Sequence, residues 1–265
     1  MSRVLIVYRQ RLGDIVGCLP AARYLWQQGH QIDFCCFPQY HSIFKAVSYC
    51  QPVGVEALQQ QKDYSRVYHL EITRSEYDTY RASGRRWRDY VYAKHPDLQP
   101  AHQDLPHFDH LADIGVYQLP KGYALAAPMG ISQVPSVDQD WFRDQCLAIN
   151  PGPWHILTDR PLPLRSRWGT AVQAKSLDHL PALIAHAGTF VTINSSPNII
   201  AAGVRQSWHL VYEAGFGGQS NYEASGQTIL HQPPELARYS WRFWVHYWRR
   251  RLSGLDTTND FGKSP

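Results

Sequence analysis

Residues 4–23 read VLIVYRQRLGDIVGCLPAAR, and this stretch decides the fold class. The run 4–7 is continuous Val, Leu and Ile, the pattern of a strand buried on both faces of a parallel sheet. A polar segment, 8–13, ends on Gly13. From Asp14 onward Ile15, Cys18, Leu19, Ala22, Leu25 and Trp26 recur at helical spacing, and Gly29 closes the helix. Residues 32–37 then return to strand character. Strand, helix and strand in so short a span make a βαβ unit with a right-handed crossover.

The whole chain supports a packed protein. Of 265 residues, 44% are hydrophobic and only 18% charged, which excludes a disordered chain. The length allows one large domain or two of about 130 residues. A formal charge of +4 selects no class of partner by itself. Nothing approaches the roughly 20 continuous apolar residues of a membrane span. The apolar run at 4–7 is too short for a signal peptide, and Arg9 and Arg11 follow it. Cys18, Cys35, Cys36, Cys50 and Cys146 are five in number, with no pair at zinc-ligand spacing. The expectation is a cytoplasmic protein with free thiols.

Further along, 42–49 reads as a helix, 66–70 as a short strand and 111–116 as a helix ending the first half. Pro and Gly make 120–137 the linker candidate. Beyond it, 141–145 reads as helix and 147–150 as a strand running into Pro151-Gly152-Pro153. The segment 157–169 reads as a Pro- and Arg-rich loop, 177–186 as a helix and 189–193 as a strand. The stretch 235–252 reads as a terminal helix carrying Trp241, Trp244 and Trp248. The organisation expected is two α/β lobes facing a cleft: residues 1–125 on the acceptor side and 126–265 on the nucleotide side, with the terminal helix crossing back to the first lobe.

Two strand-to-helix loops carry the candidate chemistry. The first is Arg11-Leu12-Gly13-Asp14, at a carboxyl strand end, where open α/β sheets bind ligands. Gly13 permits a tight turn. Asp14 either caps the helix or faces the cleft as a general base. The second loop is Asn194-Ser195-Ser196-Pro197. Pro197 suits the first helical position and the serines suit the cap. Free N–H groups at a helix start also seat phosphates.

The stretch 4–23, with Gly13-Asp14 and Leu19-Pro20-Ala21, resembles the opening of the family 9 glycosyltransferases, the ADP-heptose:lipopolysaccharide heptosyltransferases. Residues 189–204, TFVTINSSPNIIAAGV, are similar to that family's C-terminal donor motif. Residues 147–152, LAINPG, resemble the strand and Pro-Gly turn that open its second lobe. The resemblance implies a GT-B architecture of two Rossmann-like domains, inversion at the anomeric carbon, and a nucleotide-sugar bound without a dedicated metal or other cofactor. It puts Asp14 at the catalytic-base position and Gly13, Asn194, Ser195 and Ser196 around the donor. Three features depart from the family pattern. Asn194 replaces an Asp, Ile199 stands where a His is frequent, and the Lys motif after the Pro-Gly turn is missing, so that Arg160, Arg165 or Arg167 would supply the cation. The chain is also short for the family, with the shortfall expected in the second lobe.

On the acceptor side, Arg11, Arg85, Arg86 and Trp87 combine cations with an aromatic ring. The cluster Arg81, Arg85, Arg86, Arg88, Trp87 and Tyr90 suits an anionic lipopolysaccharide core, or DNA carrying a hydroxymethylated base. A saccharide acceptor is the first expectation and a phage-type DNA glycosyltransferase the alternative. A relative that binds nucleotide or carbohydrate without turnover is a third reading, raised by Asn194 and Ile199. Asp138-Gln139-Asp140 has the spelling of a cation-binding D-x-D but reads as a helix cap. His102, His107, Asp109, His110 and Asp113 read as a solvated surface. The basic end of the terminal helix leaves a peripheral membrane contact open.

Overall fold

The computed structural model describes residues 2–9, 11–128, 137–158, 168–212, 226–233 and 236. They form two parallel sheets. The first contains β1 (Arg3–Val7), β2 (Gln31–Cys35), β3 (Gln51–Val53) and β4 (Arg66–His69), in the order β3-β2-β1-β4. Its register sets Val4 beside Ile32 on one side and Arg66 on the other. The second contains β5 (Ala124–Ala127), β6 (Trp154–Thr158), β7 (Thr170–Gln173), β8 (Thr189–Ile193), β9 (Trp208–Tyr212) and β10 (Gln227–His231), in the order β10-β9-β8-β5-β6-β7.

Numbered from its own first strand, the second sheet has the full doubly-wound order 3-2-1-4-5-6, and the first has its leading four strands, 3-2-1-4. Among the described residues the first lobe thus has fewer strands than the second, whereas a shortfall was expected in the second. In each sheet the strand order reverses at a switch point, between β1 and β4 in one and between β5 and β8 in the other. Ligands of such sheets bind outside the carboxyl ends at that point.

Helix α1 (Leu12–Gln27) explains why the opening stretch is apolar all round. It is buried along most of its length, with Ile15, Val16, Cys18, Leu19, Ala21 and Ala22 sealed. One face covers the first sheet and another meets α6 (Ser196–Val204) of the second lobe. A helix packed on two sides has no polar stripe to show. The largest hydrophobic cluster accordingly runs without a break from Val4 and Ile15 to Phe190, Ile200 and Trp208.

The remaining helices are α2 (Arg74–Ser83), α3 (Trp87–Ala93), α4 (Gln139–Ile149) and α5 (His179–Ala185). Several expectations are corrected. Residues 147–149 are the last turn of α4, not a strand. The Asp138 carboxylate caps this helix by accepting from the Trp141 N–H at 2.8 Å, and Phe142 and Cys146 form its buried stripe. The strand comes after Pro151-Gly152-Pro153, as β6. The likeness of 147–152 to a strand-then-turn motif is therefore not structural.

The stretch expected as a helix at 42–49 is a 3₁₀ run, Pro38–Ala46. Within 111–116 only the start of a short 3₁₀ turn, Gly115–Tyr117, is helical. The expected linker 120–137 holds β5, so the boundary placed at 125/126 cuts a strand of the second sheet. The terminal helix expected at 235–252 lies outside the described residues, apart from Leu236.

Candidate active site

The first half of the site grows from the carboxyl end of β1. Tyr8 leaves the strand, and Arg11 takes φ 63° and ψ 105° at the N-cap of α1. A non-glycine residue there is strained, and such strain clusters at functional turns. The positive φ thus falls on Arg11 rather than Gly13.

Asp14 sits in the first turn but is not its N-cap; that place is taken by Arg11, whose side chain makes no cap hydrogen bond. The Asp14 Oδ2 instead accepts from the Tyr8 hydroxyl at 2.7 Å. Burial raises the Asp14 pKa above the ordinary carboxylate value, and the Tyr8 hydrogen bond and the Arg11 charge oppose that rise. Asp14 retains part of its surface to solvent although protein encloses its carboxyl group. An enclosed carboxylate with an elevated pKa is a candidate general base.

Around this acid stand groups that sequence reasoning missed. Tyr8, only 8% exposed, meets the Trp87 ring edge-on at 5.6 Å. Glu71 follows β4 at the switch point. It accepts from the Arg9 backbone N–H at 2.7 Å and from the Arg9 guanidinium at 3.0 Å. The Lys94 ammonium donates to the Glu71 carbonyl oxygen at 2.9 Å. The signal available for Arg9 and Glu71 was positional, since each lies just beyond the carboxyl end of a strand flanking the switch point.

The second half grows from the carboxyl end of β8. Ser195, extended at φ −149°, is the N-cap of α6, yet its hydroxyl turns back to the Ile193 carbonyl at 3.4 Å and caps nothing. The expected serine cap is therefore absent from this turn. Pro197 contributes no N–H, while Asn194 and Ser196 are partly exposed. The start of α6 keeps its positive dipole end without a side-chain cap, the arrangement that attracts phosphate oxygens.

The two loops meet. A Cβ placed on Gly13 would lie 3.3 Å from Ile199 Cδ1 and 3.4 Å from both Cα and Oγ of Ser196. Gly13 thus lets one lobe approach the other, and Ile199, where the family pattern favours His, is the apolar surface it meets. A cleft opens beside this contact, lined by Leu12, Ala127, Thr158, Gln173, Ser196 and Pro197. Its floor is the carboxyl edge of β5, β6 and β7. Across the lobes the Leu177 N–H donates to Ser42 Oγ at 3.2 Å and the Lys175 N–H to Tyr117 Oη at 2.7 Å.

The other expected residues divide. Arg11 and Arg85 are exposed. Arg86 donates to Asp89 at 2.9 Å, and Arg88 is buried and bonds the Asp104 carbonyl. Trp87 is 7% exposed, so it is a packing ring behind Tyr8 and not a platform held out to an acceptor. Arg160, Arg165 and Arg167 lie outside the described residues. Asp138 caps α4 and Asp140 pairs with Arg143 at 3.1 Å, which accounts for the D-x-D spelling. His102 bonds Asp89 at 2.7 Å, and Asp109 accepts from the Ser48 N–H and hydroxyl. Among the described residues, no three His, Cys, Asp or Glu side chains are grouped to hold a metal ion. All five cysteines are buried and free. No described helix is long and apolar enough to cross a membrane.

No protein-family model matches the chain, and no curated protein matches it in sequence at a significant level. Solved structures do match. ADP-heptose lipopolysaccharide heptosyltransferase II of E. coli superposes with a TM-score of 0.62 at 13% identity, covering 96% of this chain and 100% of its own. A family 9 glycosyl transferase from Veillonella parvula gives 0.64 at 11% identity, over 96% of this chain and 89% of its own. The E. coli heptosyltransferase WaaC with ADP gives 0.56 at 13% identity, over 94% and 99%. With two doubly-wound parallel sheets facing a cleft and these likenesses along nearly its whole length, the chain has the GT-B fold of the family 9 heptosyltransferases.

Proposed function

We propose that the protein is a glycosyltransferase that moves a sugar, with inversion, from a nucleotide-sugar to a saccharide hydroxyl. One observation supports this reading: Gly13, the neighbour of Asp14 in the first loop, packs against Ser196 at the start of α6, so the two candidate loops meet although they belong to different lobes.

The chemistry follows from that juxtaposition. The Asp14 carboxylate takes the proton of the acceptor hydroxyl. The acceptor oxygen forms its bond to the anomeric carbon on the face opposite the leaving group. The carbon–oxygen bond to the diphosphate breaks, and its electron pair leaves with the nucleoside diphosphate. The first-turn amides of α6, with Asn194, Ser195 and Ser196, receive the growing negative charge. Arg165 and Arg167 are the cations assigned to the same diphosphate. No step in this reading is given to a metal.

The saccharide acceptor is preferred to DNA because Trp87 is packed away and Arg86 and Arg88 are engaged within the protein, which withdraws that ring from base stacking. The reading places the protein in the cytoplasm, where nucleotide-sugars are found. It is tested by mass spectrometry of candidate acceptors incubated with a mixture of activated sugars. A mass gain of one sugar, lost in Asp14→Asn, supports it. Nucleotide-sugar binding without any product supports the non-catalytic relative instead, and salt-sensitive retention on DNA with sugar transfer to it supports the DNA alternative.

A further inference from the structure

Asp14 has two carboxylate oxygens and only one task in the reaction. Oδ2 is occupied by the Tyr8 hydroxyl at 2.7 Å. Tyr8 is itself held: its backbone N–H donates to the Cys35 carbonyl at 3.1 Å, its ring is sealed in the core, and Trp87 stands edge-on against it. Trp87 opens α3, whose Arg88 and Tyr92 are also buried.

We propose that Tyr8, backed by Trp87, is the positioning residue of the base: its hydroxyl fixes Asp14 Oδ2 so that Oδ1 is the oxygen turned to the acceptor. This rests on the reading of Asp14 as base, and it gives Trp87 a task different from the acceptor contact expected of it. A phenol donor suits the task. It has one hydrogen, donates along one direction, and carries no charge that would compete for the acceptor's proton. Burial drives the Tyr8 phenol well above its usual pKa, so it remains a donor throughout the working range. The ionisable groups acting on this pair are few. Arg11 stabilises the Asp14 carboxylate, Cys18 is kept protonated chiefly by burial and also feels Asp14, and Glu71 acts on Cys18.

The carboxylate is therefore held between burial, which disfavours its charge, and the Tyr8 hydroxyl, which favours it. Removing the hydroxyl without altering the ring leaves burial less opposed, so the Asp14 pKa rises. The experiment is a carbon-13 NMR titration of the Asp14 carboxyl in the unliganded protein, assigned by its loss in Asp14→Asn and repeated in Tyr8→Phe. The expected result is a midpoint about one pH unit higher in Tyr8→Phe, the weight of one charge-assisted hydrogen bond. A smaller rise is expected in Trp87→Leu, which keeps the hydroxyl but frees the ring, and which serves if Tyr8→Phe does not fold. An unchanged or lowered midpoint in the variants that fold overturns the proposal. Turnover separates this from the parent reading. If the midpoint moves but Asp14→Asn still forms product, Tyr8 positions the acid and the acid is not the base. If Asp14→Asn is inactive, the acid limb of the Tyr8→Phe rate profile moves up with the NMR midpoint.

Discussion

Asp14 is a charge in an expensive place, and its pH behaviour follows from that. Burial raises its folded-state pKa above the unfolded value of about 4. The ionised form therefore costs stability above the folded pKa, and the cost disappears as the pH falls below the unfolded one. Asp14→Asn, whose amide oxygen still accepts from Tyr8, is expected to match or exceed the wild-type melting temperature at pH 7, with the advantage fading in acid, while product formation is lost. Thermal denaturation between pH 4 and 8 checks this, and a variant that melts lower at every pH contradicts it.

Arg11 makes a second residue-scale prediction. Its positive φ costs on the order of 1–3 kcal/mol, against about 0.5–1 kcal/mol for the added flexibility of glycine. Arg11→Gly is expected to stabilise the fold by about 1 kcal/mol in urea denaturation. It also removes a cation from Asp14, so the acid limb of activity moves to higher pH. None of this strain was legible in the sequence. Gly13 looks like the residue that needs conformational freedom, and only the backbone shows that Arg11 took the unusual angle.

At the scale of elements, the junction of α1 with α6 decides whether there is a site at all. Helix α6 meets the first lobe through a glycine contact near each of its ends, Gly13 of α1 against its start and its own Gly203 against the loop at Pro106 and Phe108, with different tolerances. At Gly13 the nearest atoms to an added Cβ are 3.3–3.4 Å away and include a side-chain methyl, whereas at Gly203 the Pro106 carbonyl oxygen lies 2.4 Å away. Backbone does not yield as a side chain does. Gly203→Ala is therefore expected to lose about 1–3 kcal/mol despite the better helix propensity of alanine. Gly13→Ala should remain within about 1 kcal/mol of wild type while weakening nucleotide binding. Equal losses at the two positions contradict this account of the junction.

A third helix offers a simpler check. Asp138→Ala removes the cap of α4 and should cost about 1 kcal/mol.

The elements most legible in sequence were those with a single strong period. The run 4–7, the helix that follows it, and the strands at 66–70 and 189–193 were read nearly to the residue, because β-branched runs and i, i+3, i+4 stripes each fit one structure. The segment 147–150 was misread because three apolar residues at the end of a helix look like a short strand. Its third residue completes the stripe of Phe142 and Cys146, while Leu147 is 40% exposed. Tyr8 escaped notice as a partner of Asp14 because a strand-end tyrosine is ordinary in sequence and its hydrogen bond depends on how α1 leaves the sheet.

For the whole molecule, the two sheets tell one story at two lengths. Among the described residues the second carries all six strands of the doubly-wound order and the first carries four, with a switch point in each. The unbroken core from Val4 to Trp208 makes the lobes one packed body in this structure. A ligand seated between them should therefore register on both at once. This is the central claim, and amide NMR with ADP, or with whichever nucleotide-sugar most raises the melting temperature, tests it directly. The account predicts that the amides of Gly13 and Asp14 and those of Ser196 and Asn198 shift together along one saturation curve. Shifts confined to one lobe, or two curves with unrelated midpoints, would contradict it.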